Sequence, residues 1–258
     1  ENLGDNTLGA LFPNGKTLEA RTLGRDSKKD FVLLKVDAEN LPFFEWGDSS
    51  KIKSGEWVLA LGHPIGIVGI QGRRNRIPAL SYGNILTLNA QLKVVTESGG
   101  KDYGGSLLSN IPLAFGNSGG PLVNSEGKLI GLNGAISRGV TIQAYSVPSN
   151  RMSAAFPRLK KGIDLSVPSK GKFNTFLEGL KSMFQSGAAP PVVVGSGDDR
   201  LERIPPGNRK LLRKVSRSVV QVYRDGSEVA YGLVVDEKGQ VVTSRHALLG
   251  EDGWDYLV

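Results

Sequence analysis

The sequence predicts an all-β chain, and three observations carry that expectation. Short apolar runs such as Leu129-Ile130-Gly131-Leu132 and Tyr231-Gly232-Leu233-Val234-Val235 are bounded by Gly, Asn, Asp and Ser turn residues. The 34 glycines and 13 prolines suit many short strands and tight turns. A chain of 258 residues can hold one large β domain, because barrels and sandwiches reach that size as single units.

Along the chain, Asp30-Phe31-Val32-Leu33-Leu34-Lys35-Val36-Asp37 places a carboxylate at the mouth of an apolar strand. Leu41-Pro42, Trp46-Gly47-Asp48-Ser49 and Gly55-Glu56-Trp57-Val58-Leu59-Ala60-Leu61-Gly62-His63-Pro64-Ile65-Gly66 follow. Gly116-Asn117-Ser118-Gly119-Gly120-Pro121-Leu122 then sets a serine among glycines. Such a loop can turn sharply and aim N–H groups at a developing oxyanion, although alone it also reads as a Gly-rich hairpin turn. Leu122-Val123-Asn124, the turn Ser125-Glu126-Gly127-Lys128 and the return Leu129 to Asn133 make a hairpin directly after it. Tyr145-Ser146-Val147-Pro148-Ser149-Asn150 closes this stretch, and between Ala154 and Pro206 the β pattern stops. Phe173, Phe176, Leu177, Leu180, Met183 and Phe184 stand at helical spacing and predict an amphipathic helix. Ser186-Gly187-Ala188-Ala189-Pro190-Pro191 and Gly195-Ser196-Gly197-Asp198-Asp199 read as a flexible linker. From Tyr231 to Ala247, period-two alternation around Asp236-Glu237-Lys238-Gly239 predicts another hairpin.

From about Asn6 to Asn150 this order of motifs resembles the HtrA/Deg family of trypsin-like serine proteases. The resemblance implies two six-stranded antiparallel β-barrels, with Ser118 as nucleophile and Asp30 as the carboxylate that orients the base. It further implies an oxyanion hole from the N–H groups of Gly116 and Ser118. The substrate pocket would be lined by Pro112, Leu113, Ala114 and Phe115 and by Asn133, Gly134 and Ala135. With no acidic residue at the pocket base, a small or medium apolar P1 side chain is expected. Protein or peptide substrates, an extracytoplasmic location, and neither metal nor cofactor go with the family.

In the family the catalytic histidine precedes the aspartate, yet no histidine lies before Asp30. Ser216-Arg217-Ser218-Val219-Val220-Gln221-Val222 looks like the family's first strand, and Pro205 to Val215 like the short helix leading into it. Tyr231 to Ala247 looks like its second and third strands, ending on His246 as the base. The other histidine, His63, stands where relatives carry Asn in a loop, a structural place. The expected organisation is therefore a rear part over 1–157, helix and linker over 158–206, and front strands over 207–258. A circular permutant and a window cut from tandem protease domains both produce this order. Gly250 to Val258 reads like Gly4 to Phe12, which favours tandem copies. The tether permits closure within one chain, the favoured outcome, or strand exchange into a homo-oligomer.

The net charge of +7 comes from 32 basic and 25 acidic residues. The clusters Arg158-Leu159-Lys160-Lys161 with Lys170 and Lys172, and Arg209 to Arg217, lack aromatic stacking partners, so solvated surface is expected and no nucleic acid. Trp57 to Gln71 is too rich in Gly and Pro to span a membrane. The absence of cysteine excludes disulfides. The space after Asn150 is too short and broken for the peptide-binding PDZ domain that many relatives carry. Asn110 replaces a usual Asp and Phe115 a frequent Pro. With the triad split, the alternative to an active endopeptidase is a protease-like binding module or an inactive fragment of a tandem protein.

Overall fold

The computed structural model describes residues 8–62, 78–96, 99–113, 117–138, 142–163, 165 and 206–249. It holds two closed antiparallel barrels of six strands each, as expected. The second barrel is contiguous in sequence. It orders β10 (Leu129–Arg138), β11 (Ile142–Pro148), β8 (Ser106–Ser109), β5 (Ala79–Ala90), β4 (Trp57–Gly62) and β9 (Pro121–Asn124), while β6 (Lys93–Thr96) and β7 (Gly99–Asp102) pair separately. The Ser125 to Lys128 turn joins β9 to β10 with Val123 opposite Leu129.

The first barrel draws on both halves of the chain. β1 (Leu8–Leu11), β2 (Thr17–Asp26) and β3 (Phe31–Val36) supply one half; β12 (Val219–Arg224), β13 (Ser227–Val234) and β14 (Gln240–Ser244) supply the other. They join at two seams, with Ala10 opposite Val222 and Val32 opposite Thr243.

Period-two alternation explains how one strand serves two cores. In β3, Val32, Leu34 and Val36 point into the first barrel with Val220, Val222, Val234 and Val241, while Phe31 and Leu33 point into the seam between the barrels. Ile85, Leu107, Ile111, Leu122 and Ile130 fill the second barrel.

Helices close the seam. α1 (Ser149–Leu159) buries Met152, Phe156 and Leu159 there, with Phe156 edge-on to Trp46 at 5.2 Å between centroids. The sequence shows only the end of a β pattern here, and the expected boundary at 157 falls inside this helix. The spacing Met152, Phe156, Leu159 is helical, but Pro157 within the last turn obscures it. α2 (Pro206–Ser216) is the helix expected before the first front strand. It places Leu212 and Val215 in the seam and pairs Lys214 with Glu45 at 2.7 Å. α3 (Arg245–Leu249) is one short turn after β14. The expected helix over Phe173 to Phe184, the linker after it, and the repeated segment at Gly250 to Val258 lie outside the described residues, whereas its counterpart at Gly4 to Phe12 is described from Leu8 on, where it forms β1. Among the described residues no helix is long and apolar enough to cross a membrane, and no cluster of His, Cys, Asp or Glu suits a metal ion.

Candidate active site

β3 and β14 set the first pair of groups. Ser244 lies opposite Phe31 in the ladder, so Asp30 just before one strand and His246 just after the other meet at the same end of the barrel. Asp30 has φ of 62°, a left-handed conformation that aspartate tolerates better than most residues. This turn aims its carbonyl at the N–H of Arg245, 3.2 Å away. The carboxylate is 1% exposed. Its Oδ1 accepts the His246 main-chain N–H at 3.0 Å, and its Oδ2 faces His246 Nδ1 at 2.5 Å. Ser244 Oγ lies 2.6 Å from the same Nδ1 and 3.3 Å from Asp30 Oδ2. A proton on Nδ1, facing the carboxylate, leaves Nε2 as an acceptor. Nε2 is 3.2 Å from Ser118 Oγ.

Ser118 comes from the other barrel, and its loop is held by main-chain bonds on both sides. Gly119 N–H donates to Asn133 O at 2.9 Å, and Asn133 N–H to Gly120 O at 2.9 Å. The Tyr231 N–H donates to Ser118 O at 3.2 Å, which ties the loop to β13 of the first barrel. Gly119 has φ of +79°, and a Cβ there would stand 2.2 Å from Tyr231 O. Only glycine fits so close to that strand. The loop therefore reaches across the seam because it ends on a residue without a side chain.

Tyr103, between β7 and β8, sends its hydroxyl to Asp30 Oδ2 at 2.6 Å. Burial, then the neighbouring Asp30 charge and the hydrogen bond, push the phenol well above its ordinary range, so it is a neutral donor. Neither Tyr103 nor Ser244 was expected in this cluster. Tyr103 lies in a polar Asp-Tyr-Gly-Gly turn with no spacing that links it to Asp30.

Pro112 is exposed, while Leu113 is buried in the second-barrel core. The Asn133 side chain is consumed within its barrel, donating to Pro121 O at 3.2 Å and accepting from Ser146 Oγ at 3.0 Å. The register of β10 against β11 shifts between Asn133 and Ala135, so Gly134 sits at a bulge, and Ala135 is half-buried. Ala114, Phe115 and Gly116, and with them half of the expected oxyanion hole, lie outside the described residues, as does His63. Asn110, the departure from the usual Asp, accepts the Asn84 N–H at 2.7 Å.

The trypsin-like peptidase domain family matches residues 2–132, a span that contains Asp30 and Ser118 and stops before His246. A probable periplasmic serine endoprotease, DegP-like, of Rickettsia conorii is 28% identical over 257 residues, covering 88% of this chain and 48% of that protein. The serine protease Do-like HtrA of Lactobacillus helveticus is 28% identical over 193 residues, 71% of this chain and 43% of that one. The serine protease Do-like HtrB of Bacillus subtilis is 30% identical over 171 residues, 65% of this chain and 36% of that one. The chain thus spans about half or less of the length of these relatives. A double barrel and a family match over more than half of its residues agree: the chain belongs to the trypsin-like peptidase family and is HtrA-like within it.

Proposed function

We propose that the chain is a serine endopeptidase that cleaves flexible or unfolded protein, with rear residues 1–157 and front residues 207–258 forming one catalytic unit. The observation that carries this reading is the series Asp30 Oδ2, His246 Nδ1, His246 Nε2, Ser118 Oγ, with gaps of 2.5 and 3.2 Å. In this mechanism His246 Nε2 takes the Ser118 proton as Oγ attacks the peptide carbonyl. Asp30 keeps the proton on Nδ1 and stabilises the imidazolium. The N–H groups of Gly116 and Ser118 hold the oxyanion, His246 returns the proton to the leaving amine, and water then releases the acyl group by the reverse path. Pro112 to Phe115 and Asn133 to Ala135 contain no carboxylate, which supports an apolar P1 residue. The periplasmic designation of the R. conorii relative supports a place outside the cytoplasm.

The test is a fluorophosphonate probe with casein as substrate. Ser118 is expected to be labelled, and Ser118→Ala to lose labelling and about a thousandfold or more of casein hydrolysis. Mass spectrometry of the fragments should place the cuts after Val, Ala, Leu or Ile. Undiminished cleavage by Ser118→Ala would sink the mechanism, and dominant cleavage after Lys or Arg would sink the pocket assignment.

A further inference from the structure

We propose that Tyr103 is a positioning residue of the active site, its hydroxyl holding the Asp30 carboxylate in place from the opposite barrel. The proposal rests on the triad reading and adds to it a component that crosses the seam.

A ring that merely filled space would need no hydroxyl, and a buried phenol must find a partner. Tyr103 is 3% exposed and uses Asp30 Oδ2, the oxygen that also faces His246 Nδ1. Its main chain leaves it little freedom. Tyr103 N–H donates to Leu92 O at 2.8 Å, and Tyr103 O accepts the Ser106 N–H and hydroxyl. The flanking residue makes a second tie to the loop that carries Asp30: Asp102 N–H donates to Lys28 O at 2.8 Å, and Lys29 Nζ bonds Asp102 O and Oδ2 at 2.9 and 3.0 Å. On its other side the ring backs onto the bulge of β10, where a Cβ at Gly134 would stand 2.8 Å from Tyr103 Cε1. One side chain thus touches both the carboxylate and the strand expected to line the substrate pocket.

The chemistry sets the sign of the effect. A neutral phenol that donates to Asp30 shares its charge and fixes its plane. Without the hydroxyl, Oδ2 keeps its full charge against the Nδ1 proton and nothing from the second barrel holds the carboxylate plane. Among the described residues, the charged or titratable groups around this pair include Tyr103 from the second barrel, Arg245 beside His246 on α3, and the Lys29 and Asp102 pair on and against the loop that carries Asp30. None is removed by Tyr103→Phe except the phenol.

Tyr103→Phe should lower kcat on a peptide substrate about tenfold with little change in KM, because a hydrogen bond to a charged group is lost while binding groups stay. The acid limb of kcat/KM should move to higher pH, and the His246 Nδ1–H proton resonance should move downfield. An unchanged kcat, acid limb and resonance in a folded Phe variant would overturn the proposal and leave the ring as filler. If the variant does not fold, wild-type protein carrying 13Cζ-labelled tyrosine decides: a Tyr103 signal that follows His246 protonation supports the contact, and a flat one overturns it. A shifted Nδ1–H resonance in protein whose Ser118 resists the fluorophosphonate would sink the hydrolase reading and leave the role of Tyr103 standing.

Discussion

At Gly119 a single backbone angle decides whether the two barrels can meet at the site. Its φ of +79° belongs to the left-handed region, and the space for a side chain is already taken by Tyr231 O at 2.2 Å and Thr243 Oγ1 at 2.6 Å. Both blocking atoms sit on strands from the far end of the sequence, so a methyl group here would push Ser118 away from His246. Gly119→Ala should therefore cost about 1–3 kcal/mol in backbone strain alone and abolish fluorophosphonate labelling. Thermal unfolding and labelling measure the two effects separately, and an Ala variant that keeps both would disprove the close approach. Asp30 shows the complementary case, a left-handed residue that keeps its side chain, and on its carboxylate the His246 N–H, His246 Nδ1 and the Tyr103 hydroxyl converge. Its aspartate and the glycines around Ser118 could be read in the sequence because they follow a motif. Tyr103 and Ser244 could not, since only strand register and barrel docking bring them to Asp30.

Among the elements, strands were more readable than helices for a physical reason. Period-two alternation survives in β3 and in the β13–β14 hairpin because each strand faces two different surroundings, and hairpin turns mark their ends. α1 was missed because it begins without a side-chain cap after Pro148 and carries Pro157 inside, two features that contradict a helix locally. What holds its start is a network outside the helix. Asn150 Nδ2 donates to Asp48 Oδ1 at 2.7 Å, Ser50 Oγ and N–H donate to the same oxygen at 2.6 and 3.0 Å, and Ser149 Oγ donates to Gly47 O at 2.7 Å. The Ser50 hydroxyl first, then Asn150 and the Ser50 N–H, pull the Asp48 pKa down to about 2 from an ordinary 3.8. The folded value lies below the unfolded one. The contribution of Asp48 is therefore present above the unfolded value and is lost as pH falls through the folded value. Asp48→Ala should be less stable than the parent in urea at about pH 5, and the gap should narrow at about pH 2.5. A gap that stays constant would show that the carboxylate does not anchor α1.

For the molecule as a whole, strands from both halves of the chain share the first barrel, and barrel geometry shows how physics tolerates that order. A barrel needs its strands adjacent in space, not in sequence, and closure removes the edges that would otherwise recruit another chain. β1 to β3 without β12 to β14 would expose the hydrogen-bonding rows of β1 and β3, the two strands that the later segment covers. The same contacts could be made by the later strands of a second molecule, placing its His246 beside Ser118 of the first. Residues 160–205 join α1 to α2, a length of chain whose extended contour is on the order of 150 Å. A tether of this kind holds its end at an effective concentration of order millimolar, well above that of a second chain in dilute solution. Closure within one chain should therefore win. Unfolding Ser118→Ala and His246→Ala proteins together, refolding the mixture and measuring casein hydrolysis tests this, because only exchange can pair an intact Ser118 with an intact His246. Intrachain closure leaves the mixture as inactive as its parts, whereas full random exchange into dimers would restore about a quarter of the wild-type rate, one site in two of every mixed pair. Recovery near that level, with a dimer by light scattering, would overturn intrachain closure and make the complete site a property of two molecules.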